Sequence, residues 1–492
     1  MKKPGNCAHK PAVLILVFLI MVFSLTGLTT PFRVSAETVN VDEILSSLQY
    51  PLKKGSMGQA VAALQKALSF LGFNVGPVDG IFGIKTHAAV ISFQESQGLW
   101  PDGIVGPKTR EALRVALNKF LLGGDRPQLG EDRYVVKPGD TLYSIARATG
   151  TTVGAILALN PGISSTIYPG MRLVLKAPSR SHVWVYAPKY KPDDRVSFQD
   201  VSANIDKIDV VIDYGFSVSE DGSIVGSGDP ELRNLVSSKG KAIFAMVSNT
   251  RNGKFDQNLA RTVLKGGLTA SKNFVTGIFR LLEQGYTGIN IDFENIPGDL
   301  RQEFTAFIRN VSSLLGSRAT LSVAVPAKTR DNPDSSWSGG FDYSALSNWV
   351  DFVVIMAYDE HYSGSRPGPV ASLEWVTEVS DFAKTQVPPS KIVLGIAGYG
   401  YEWPKDGGSG RSYPAHVMER DALSQGIAVV RDQGKVPHYE LTRDGCVYVR
   451  YYEDGTSIRE KVGLALKNGF YGVSLWRAGY ETSDTWDAIA PR

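Results

Sequence analysis

The run from Gly288 to Glu294 places two carboxylic acids two positions apart in an otherwise apolar segment. Side chains on a β-strand alternate between faces, so Asn290, Asp292 and Glu294 would share one face and the intervening apolar residues the other. Two carboxylates on neighbouring inward positions repel and desolvate each other, which favours a catalytic use over a structural acid pair. The segment therefore predicts an acid/base site at the end of a buried strand.

Eight β-rich runs separated by helical stretches would position this pair. The candidate strands span residues 183–186, 208–213, 242–247, 288–294, 320–325, 352–358, 392–397 and 472–476. Eight strands in about 310 residues predict a (β/α)8 TIM barrel, for which ~250 residues are typical. The excess length lies between strands seven and eight, from about 401 to 468, where a strand-like run at 446–451 and a helix near Ala422 predict a small inserted α+β element.

Conspicuous polar and aromatic residues fall at the carboxyl ends of these strands, where TIM barrels carry their chemistry. Asp292 and Glu294 end strand four. Strand six and strand eight end with Met356, Tyr358, Asp359 and Trp476. The sequence thus gathers candidate acids, a phenol and an indole at one end of the barrel.

With these residues in view, the barrel resembles the family-18 glycoside hydrolases, whose strand-four motif is Asp-x-x-Asp-x-Asp-x-Glu. The final Asp and Glu are present, whereas Thr287 and Asn290 occupy the first two Asp positions. Asn at the second position, together with the runs 399–403, 452–457 and 472–477, resembles the spore-germination and cortex-lytic branch of that family.

The resemblance implies retaining, substrate-assisted catalysis, in which the acetamido oxygen of a 2-acetamido sugar attacks its own anomeric carbon. Glu294 would be the general acid and later the base. Asp292 would hold the acetamido N–H and stabilise the positive oxazolinium. Tyr358 would orient the acetamido carbonyl. The substrate-binding residues would be Asn290, Met356, Asp359 and Trp476, the last as the apolar floor under the sugar.

The two departures from the family motif lead to expectations about activity and its pH dependence. A neutral amide at Asn290 can only hydrogen-bond Asp292 and fix its orientation, so activity is expected with a different pH dependence. Thr287 would point to the outer face, where its replacement matters less. Trp337 and Trp403 are open to two interpretations, as sugar-stacking platforms or as loop anchors.

An internal repeat marks the segment from about 54 to 118. The run 79–83 followed by Thr86 and the run 102–106 followed by Thr109 share an Asp-Gly turn and the same offsets. Each turn would lead into a helix that the threonine caps, and apolar residues at helical spacing precede each turn. The resulting three-helix module resembles the peptidoglycan-binding domain of cell-wall hydrolases; a helical spacer without a ligand site is the alternative.

Residues 132–176 predict a strand, two helices and a strand. A helix would begin near Asp140 or Thr141, and a second would end at Asn160 before a strand at 167–175. This βααβ order resembles a LysM domain, which implies a shallow groove for N-acetylglucosamine chains. The groove residues would be Gly139, Asp140, Thr141, Asn160, Pro161 and Ile167.

Residues 1–36 read as a secretory signal peptide, with early lysines, an apolar run and a small-residue cleavage site, although an uncleaved anchor is the alternative. Cleavage of this segment would remove four basic residues and no acid, so the formal net charge would fall from +3 to −1. A nearly neutral chain has no overall positive charge to attract nucleic acid, and no stable membrane insertion is expected after cleavage. The six histidines show no metal-ligand spacing, so neither a metal nor another cofactor is expected.

Together these features predict an exported enzyme with its catalytic domain at 182–492. Its expected reaction is cleavage of β-1,4 bonds at N-acetylglucosamine in peptidoglycan, in the cell wall or the spore cortex or coat of a bacterium. A chitin-directed hydrolase and a catalytically inactive wall or spore-coat protein are the alternatives, and the presence of Glu294 argues against the second. The sequence contains no pattern that indicates the oligomeric state, endo or exo action, or any need for muramic lactam.

Overall fold

A computed structural model describes residues 51–70, 73, 75–122, 132–163, 166–431 and 435–490, and the predicted signal peptide lies outside them. The chain divides into two compact units, with the boundary at Arg126 and Pro127. Within the described ranges no single helix is long and apolar enough to cross a membrane; the bent pair Leu142–Thr149 and Val153–Leu159 meets the length and composition test only jointly.

The first unit is a three-helix module. Its helices are α1 (Gln59–Phe70), α2 (Ile84–Ser96) and α3 (Pro107–Leu122). The apolar residues that predict these helices, among them Val61, Leu64 and Phe93, are buried in one small core. The helical periodicity thus reflects a shared apolar face.

Each half of the repeat is built around one buried glutamine. The Gln65 amide N–H group donates to Asp79 Oδ1 (2.9 Å) and to Thr86 Oγ1 (3.1 Å). Gln94 repeats this pattern with Asp102 and Thr109. The prediction that the threonines cap helices is wrong, because each is the third residue of its helix and its hydroxyl accepts from the glutamine instead.

The second unit begins with the βααβ module. Its elements are β1 (Arg133–Val135), α4 (Leu142–Thr149), α5 (Val153–Leu159) and β2 (Arg172–Val174), and the two strands pair antiparallel. Thr141 caps α4 in a reciprocal capping box with Ser144. The closing strand is shorter than predicted because a turn from Tyr168 to Met171, with Gly170 at φ 89°, immediately precedes it.

Eight parallel strands close into a barrel, which confirms the predicted fold class. They are β3 (His182–Pro188), β4 (Val210–Val218), β6 (Ala242–Ser248), β9 (Gly288–Asp292), β10 (Thr320–Pro326), β11 (Phe352–Met356), β12 (Ile392–Ala397) and β18 (Gly472–Trp476). Closure comes from the pairing of β3 with both β18 and β4. Strand β5 (Ile224–Gly226) pairs antiparallel with the last residues of β4, and β7 (Thr250–Arg251) with β8 (Lys254–Phe255) forms a hairpin after β6.

Helices follow the strands, and all of them except α13 (Ala415–Ser424), which belongs to the insertion, cover the barrel. They are α6 (Val196–Asn204), α7 (Pro230–Ser238), α8 (Gln257–Lys265), α9 (Gly267–Glu283), α10 (Arg301–Leu315), α11 (Tyr343–Ser347), α12 (Leu373–Gln386), α13 (Ala415–Ser424), α14 (Gly455–Lys467) and α15 (Thr485–Ile489). Side chains on alternate strand positions pack outward against them, including Ile289 and Ile291, while a separate inner cluster around Trp184 and Phe244 fills the barrel.

The predicted α+β insertion follows β12. Its five-stranded sheet contains β13 (Tyr399–Pro404), β14 (Arg411–Pro414), β15 (Val430–Arg431), β16 (Pro437–Arg443) and β17 (Cys446–Tyr452), and α13 packs beside it. Buried Glu402 pairs with Arg450 (2.7 Å) in this layer. The insertion leaves the barrel directly after a strand end, beside the face that carries the acids.

Candidate active site

The strand that carries the acid pair ends at Asp292, two residues earlier than predicted, so Glu294 lies just beyond it. Asn295 turns the chain there with φ at 59°, in the left-handed region. The Glu294 backbone pairs with a side chain instead of a neighbouring strand. Its N–H donates to Asn249 Oδ1 (2.8 Å), and its carbonyl accepts from Asn249 Nδ2 (3.0 Å).

Asn249 is a site residue that the sequence reasoning missed. It directly follows β6, is fully buried, and carries no chemistry of its own that would mark it. Gln257, at the start of α8, adds a second contact by donating to the Asn295 carbonyl (3.3 Å). The segment after β9 is therefore held by two amide side chains from the β6–α8 connection.

Burial dominates the electrostatics of the two acids. Asp292 is 4% exposed, and its Oδ1 has no hydrogen-bond partner. Desolvation raises the pKa of Asp292 well above its usual range. Desolvation, with the nearby charges of Asp292 and Asp359, likewise raises the pKa of Glu294. Glu294 therefore keeps its proton at neutral pH, as a general acid must.

Asn290 faces the barrel interior but has other partners than the predicted one. Its Oδ1 accepts from the Tyr186 hydroxyl (3.2 Å), and its Nδ2 donates to Ser322 Oγ (2.9 Å). The amide thus bridges β3 and β10, and Asp292 Oδ1 is left without a partner. The expected Asn290–Asp292 hydrogen bond is therefore not made through this oxygen.

Tyr358 and Asp359 lie just beyond β11, which ends at Met356 rather than at the predicted residue 358. Burial raises the pKa of Tyr358, with further contributions from Tyr186 and the nearby acids, so its hydroxyl remains a donor. Asp359 Oδ1 accepts from the hydroxyls of Tyr399 (2.6 Å) and Tyr401 (3.2 Å). These two tyrosines bring the insertion to the edge of the site.

Trp476 is the last residue of β18, and its ring lies 5.2 Å from the ring of Tyr186 inside the barrel. Met356 is partly buried at the end of β11. Trp403 is fully buried, and its indole N–H donates to the Tyr362 carbonyl (3.2 Å), which makes it a loop anchor. Trp337 is 49% exposed in the β10–α11 connection.

The predicted LysM groove residues have mixed surroundings. Gly139, Thr141 and Pro161 are exposed, and Ile167 is partly buried. Asp140 Oδ2 accepts from the Tyr134 hydroxyl (2.9 Å). Asn160 is buried, and its amide joins the end of α5 to both backbone groups of Val174. This arrangement argues against direct contact between the Asn160 side chain and a sugar.

In the described ranges, no group of three or more histidine, cysteine, aspartate or glutamate side chains could hold an ion. The candidate reactive groups of the site are the two acids and the Tyr358 hydroxyl.

Comparison with known proteins gives three family matches along the chain. Residues 182–481 match the glycosyl hydrolases family 18, residues 57–113 the peptidoglycan binding domain, and residues 134–176 the LysM domain. The family 18 match spans more than half of the chain.

Individual relatives agree with these matches. A cortical fragment-lytic enzyme of Bacillus anthracis is 29% identical over 56% of this chain and 65% of that enzyme. The Bacillus cereus spore cortex-lytic enzyme SleL superposes with a TM-score of 0.60 at 25% identity, covering 73% of this chain and 85% of SleL. A chitinase of Chromobacterium violaceum gives a TM-score of 0.59 at 25% identity, covering 63% of this chain and 98% of the chitinase.

Proposed function

The chain belongs to glycosyl hydrolase family 18, and from that premise we propose that it cleaves β-1,4 glycosidic bonds at N-acetylglucosamine in peptidoglycan. The observation that carries the proposal is the acid pair: Glu294, with its raised pKa, stands two residues from a buried aspartate that has an unpartnered oxygen. Glu294 is a proton donor at neutral pH, and Asp292 is placed to stabilise positive charge on the substrate.

In the proposed reaction, Glu294 donates its proton to the glycosidic oxygen as the bond to the anomeric carbon breaks. The substrate's acetamido oxygen forms the new bond to that carbon, which gives a cyclic oxazolinium on the opposite face. Water then attacks the anomeric carbon as the bond to the acetamido oxygen breaks and the acetamido group re-forms, and the Glu294 carboxylate takes the proton of the water. Two displacements at one carbon retain the anomeric configuration.

Asp292 and Tyr358 serve the acetamido group in this proposal. Asp292 Oδ1 is the free acceptor for the acetamido N–H, and a carboxylate there stabilises the positive charge of the oxazolinium. The Tyr358 hydroxyl donates to the acetamido oxygen and aims it at the anomeric carbon. Trp476 supplies the apolar floor of the sugar site, lined further by Met356 and Asp359.

Peptidoglycan is the favoured polymer because two further modules of the chain match wall-binding families. The relatives add the spore cortex, since cortical fragment-lytic and cortex-lytic enzymes are among them. We therefore infer that the chain is exported, with residues 1–36 as its signal, and acts on the wall or cortex. Chitin is the second candidate, favoured by the likeness to a bacterial chitinase.

The test compares the chain with its Glu294→Gln variant on purified peptidoglycan, spore cortex and chitin, with mass spectrometry of the products. We expect reducing-end N-acetylglucosamine fragments, with a rate about 10²- to 10⁴-fold lower in the variant because the general acid is lost. Glu283→Gln, at the exposed end of α9, is the matched control. Full activity in Glu294→Gln, or a first-formed product of α configuration by NMR, would contradict the mechanism; preference for chitin would select the second candidate.

A further inference from the structure

The LysM module is joined to the barrel by a buried ion pair. Arg172, on β2, is 2% exposed, and its guanidinium pairs with Asp351. The same group donates to Ser312 Oγ (3.0 Å) at the end of α10 and to the Ala319 carbonyl (3.2 Å). Nη2 also donates to the Gly316 carbonyl (2.7 Å), so each guanidinium nitrogen has an acceptor, which makes a buried cation tolerable.

Two further basic side chains, Arg133 and Lys391, join the LysM module to the barrel. Arg133, on β1, donates to the carbonyls of Asp351 (2.9 Å) and Ser390 (2.8 Å), and its guanidinium lies 4.0 Å above the Phe352 ring. Lys391, on the barrel, donates to the Arg172 carbonyl of the module. Contacts from both sides therefore fix the module, which behaves as part of the catalytic body rather than as a tether.

These contacts lie at one end of the barrel. Ala319 immediately precedes β10, Asp351 immediately precedes β11, and Lys391 immediately precedes β12. The acid pair and Tyr358 lie where strands end. In a parallel barrel all strands begin at one face and end at the other, so the module and the active site occupy opposite faces.

The groove residues Gly139, Thr141 and Pro161 stay exposed in this docked position. Tyr143, two residues after Thr141, is 71% exposed, and Tyr168, next to Ile167, is 55% exposed. The barrel contacts the chain just after Tyr168, since Ser312 and Ser313 donate to the carbonyls of Gly170 (2.8 Å) and Pro169 (3.3 Å). An exposed aromatic on each side offers the flat surface that sugar rings stack on.

We propose that each molecule binds two separate glycan segments at once, one held by the LysM module and a different one cut on the opposite face. A segment seated in the module would have to pass around the outside of the barrel to reach the cleft of the same molecule. The inferred partner is therefore a multi-strand glycan network, in which the anchored strand is not the strand that is cleaved. This inference rests on the proposed function, because it assigns the substrate of the same active site.

The experiment is calorimetric titration of full-length Glu294→Gln with soluble β-1,4-linked N-acetylglucosamine oligomers of increasing length. We expect the number of oligomers bound per chain to be the same at every length, because no single oligomer occupies both the module and the cleft. Pro161→Arg, which places a long side chain in the exposed groove, should lower this number by one, and so should Trp476→Ala in the cleft. Hydrolysis of the same oligomers by the unmodified chain is measured in parallel.

Two results would overturn the inference. A stoichiometry that falls by one as the oligomer lengthens, with a sharp rise in affinity, would show one strand serving both sites. A stoichiometry that Pro161→Arg or Trp476→Ala fails to lower would show that the module and the cleft do not both bind. If the unmodified chain hydrolyses the oligomers in either case, the proposed function stands and only the two-strand inference fails; absence of hydrolysis of every glycan would instead refute the proposed function.

Discussion

Asn249 pairs with both backbone groups of Glu294 and so takes the place of a neighbouring strand beyond the end of β9. A side-chain amide has one donor group and one acceptor, which matches the backbone geometry of an extended residue. Asn249 touches no reacting atom; it is a positioning residue for the acid. Its effect should therefore appear in the chemical step rather than in substrate binding.

Asn249→Ala is expected to lower kcat by about 10²-fold with little change in KM, because a shift of about 1 Å in the acid costs that much. Asn310→Ala, which removes a partly buried amide on α10 far from the acids, is the control and should leave kcat unchanged. Steady-state kinetics on a soluble oligomer gives both constants. An Asn249→Ala enzyme in which KM rises while kcat is unchanged would contradict the positioning role.

The buried acids also tie stability to pH. Unfolding exposes Glu294 to water and lowers its pKa to the ordinary range, so over neutral pH the unfolded chain has released a proton that the folded chain retains. The free energy of unfolding therefore falls as pH rises from the unfolded pKa to the raised folded pKa.

Glu294→Gln should remove this loss, so that the variant becomes more stable than the unmodified chain as pH rises. The expected gain is about 1.4 kcal/mol for each unit of pKa difference, and it vanishes below the ordinary carboxyl pKa. Urea unfolding across pH measures it, with exposed Glu283→Gln as the control. A stability difference that does not change with pH would refute this explanation.

Strand alternation was enough to predict Asn290 on the interior face of the barrel, because the period of two fixes the face. It could not predict which groups this amide contacts, since Tyr186 and Ser322 come from strands 104 and 32 residues away. Asn249 was missed for the same reason: its role depends on a contact between a side chain and a distant backbone, which leaves no local pattern.

At the scale of elements, the docking of β2 on the barrel depends on the Arg172–Asp351 pair. Arg172→Ala would leave Asp351 buried without its cation, and we expect a cost of about 3–5 kcal/mol in the unfolding of the second unit. The double change Arg172→Met with Asp351→Leu removes both charges and should recover much of this loss. Denaturant titration of the full chain measures both.

Lys384→Ala is the matched control for the Arg172 prediction. It breaks an exposed pair with Asp381 on α12 and should cost no more than about 1 kcal/mol. Equal effects of Arg172→Ala and Lys384→Ala would show that the buried pair does not secure the module.

Element boundaries were predicted less well where side-chain hydrogen bonds determine where a helix or strand begins or ends. The Asp-Gly repeat correctly indicated turns before α2 and α3, but Thr86 was assigned to a helix cap. Its hydroxyl instead belongs to the hydrogen-bond network of Gln65, whose position on α1 is set by packing. Likewise β9 ends early because the Asn295 turn and the Asn249 contact replace strand pairing, and neither follows from hydrophobic periodicity.

At the scale of the whole molecule, we expect the first unit to act as a tether to peptidoglycan. A chain that starts at Asp132 should keep its kcat/KM on soluble oligomers, because the acids and their supports all lie in the second unit. Its rate on insoluble peptidoglycan should fall by about 10²-fold, since avidity of that order is lost with a binding module. Equal losses on soluble and insoluble substrates would argue against a tethering role.

The eight-strand barrel, the insertion and both small modules followed from periodicity and motif, because each is recorded in short stretches of sequence. The docking of the LysM module did not, because Arg172 and Asp351 are 179 residues apart and each resembles an ordinary surface charge in the sequence. Long-range pairing of buried charges becomes visible only once the fold has brought them together.

Lys391 gives this docked arrangement a chemical reporter. The residue is 1% exposed, and its side-chain amino group donates to three backbone carbonyls, those of Arg172, Ser347 and Val350. An amine-reactive reagent therefore cannot reach it while the module stays in place, although lysines on the surface react freely. Peptide mapping of acylated Lys391 would thus count the molecules whose module has lifted away, even within an intact cell wall where the structure itself cannot be seen.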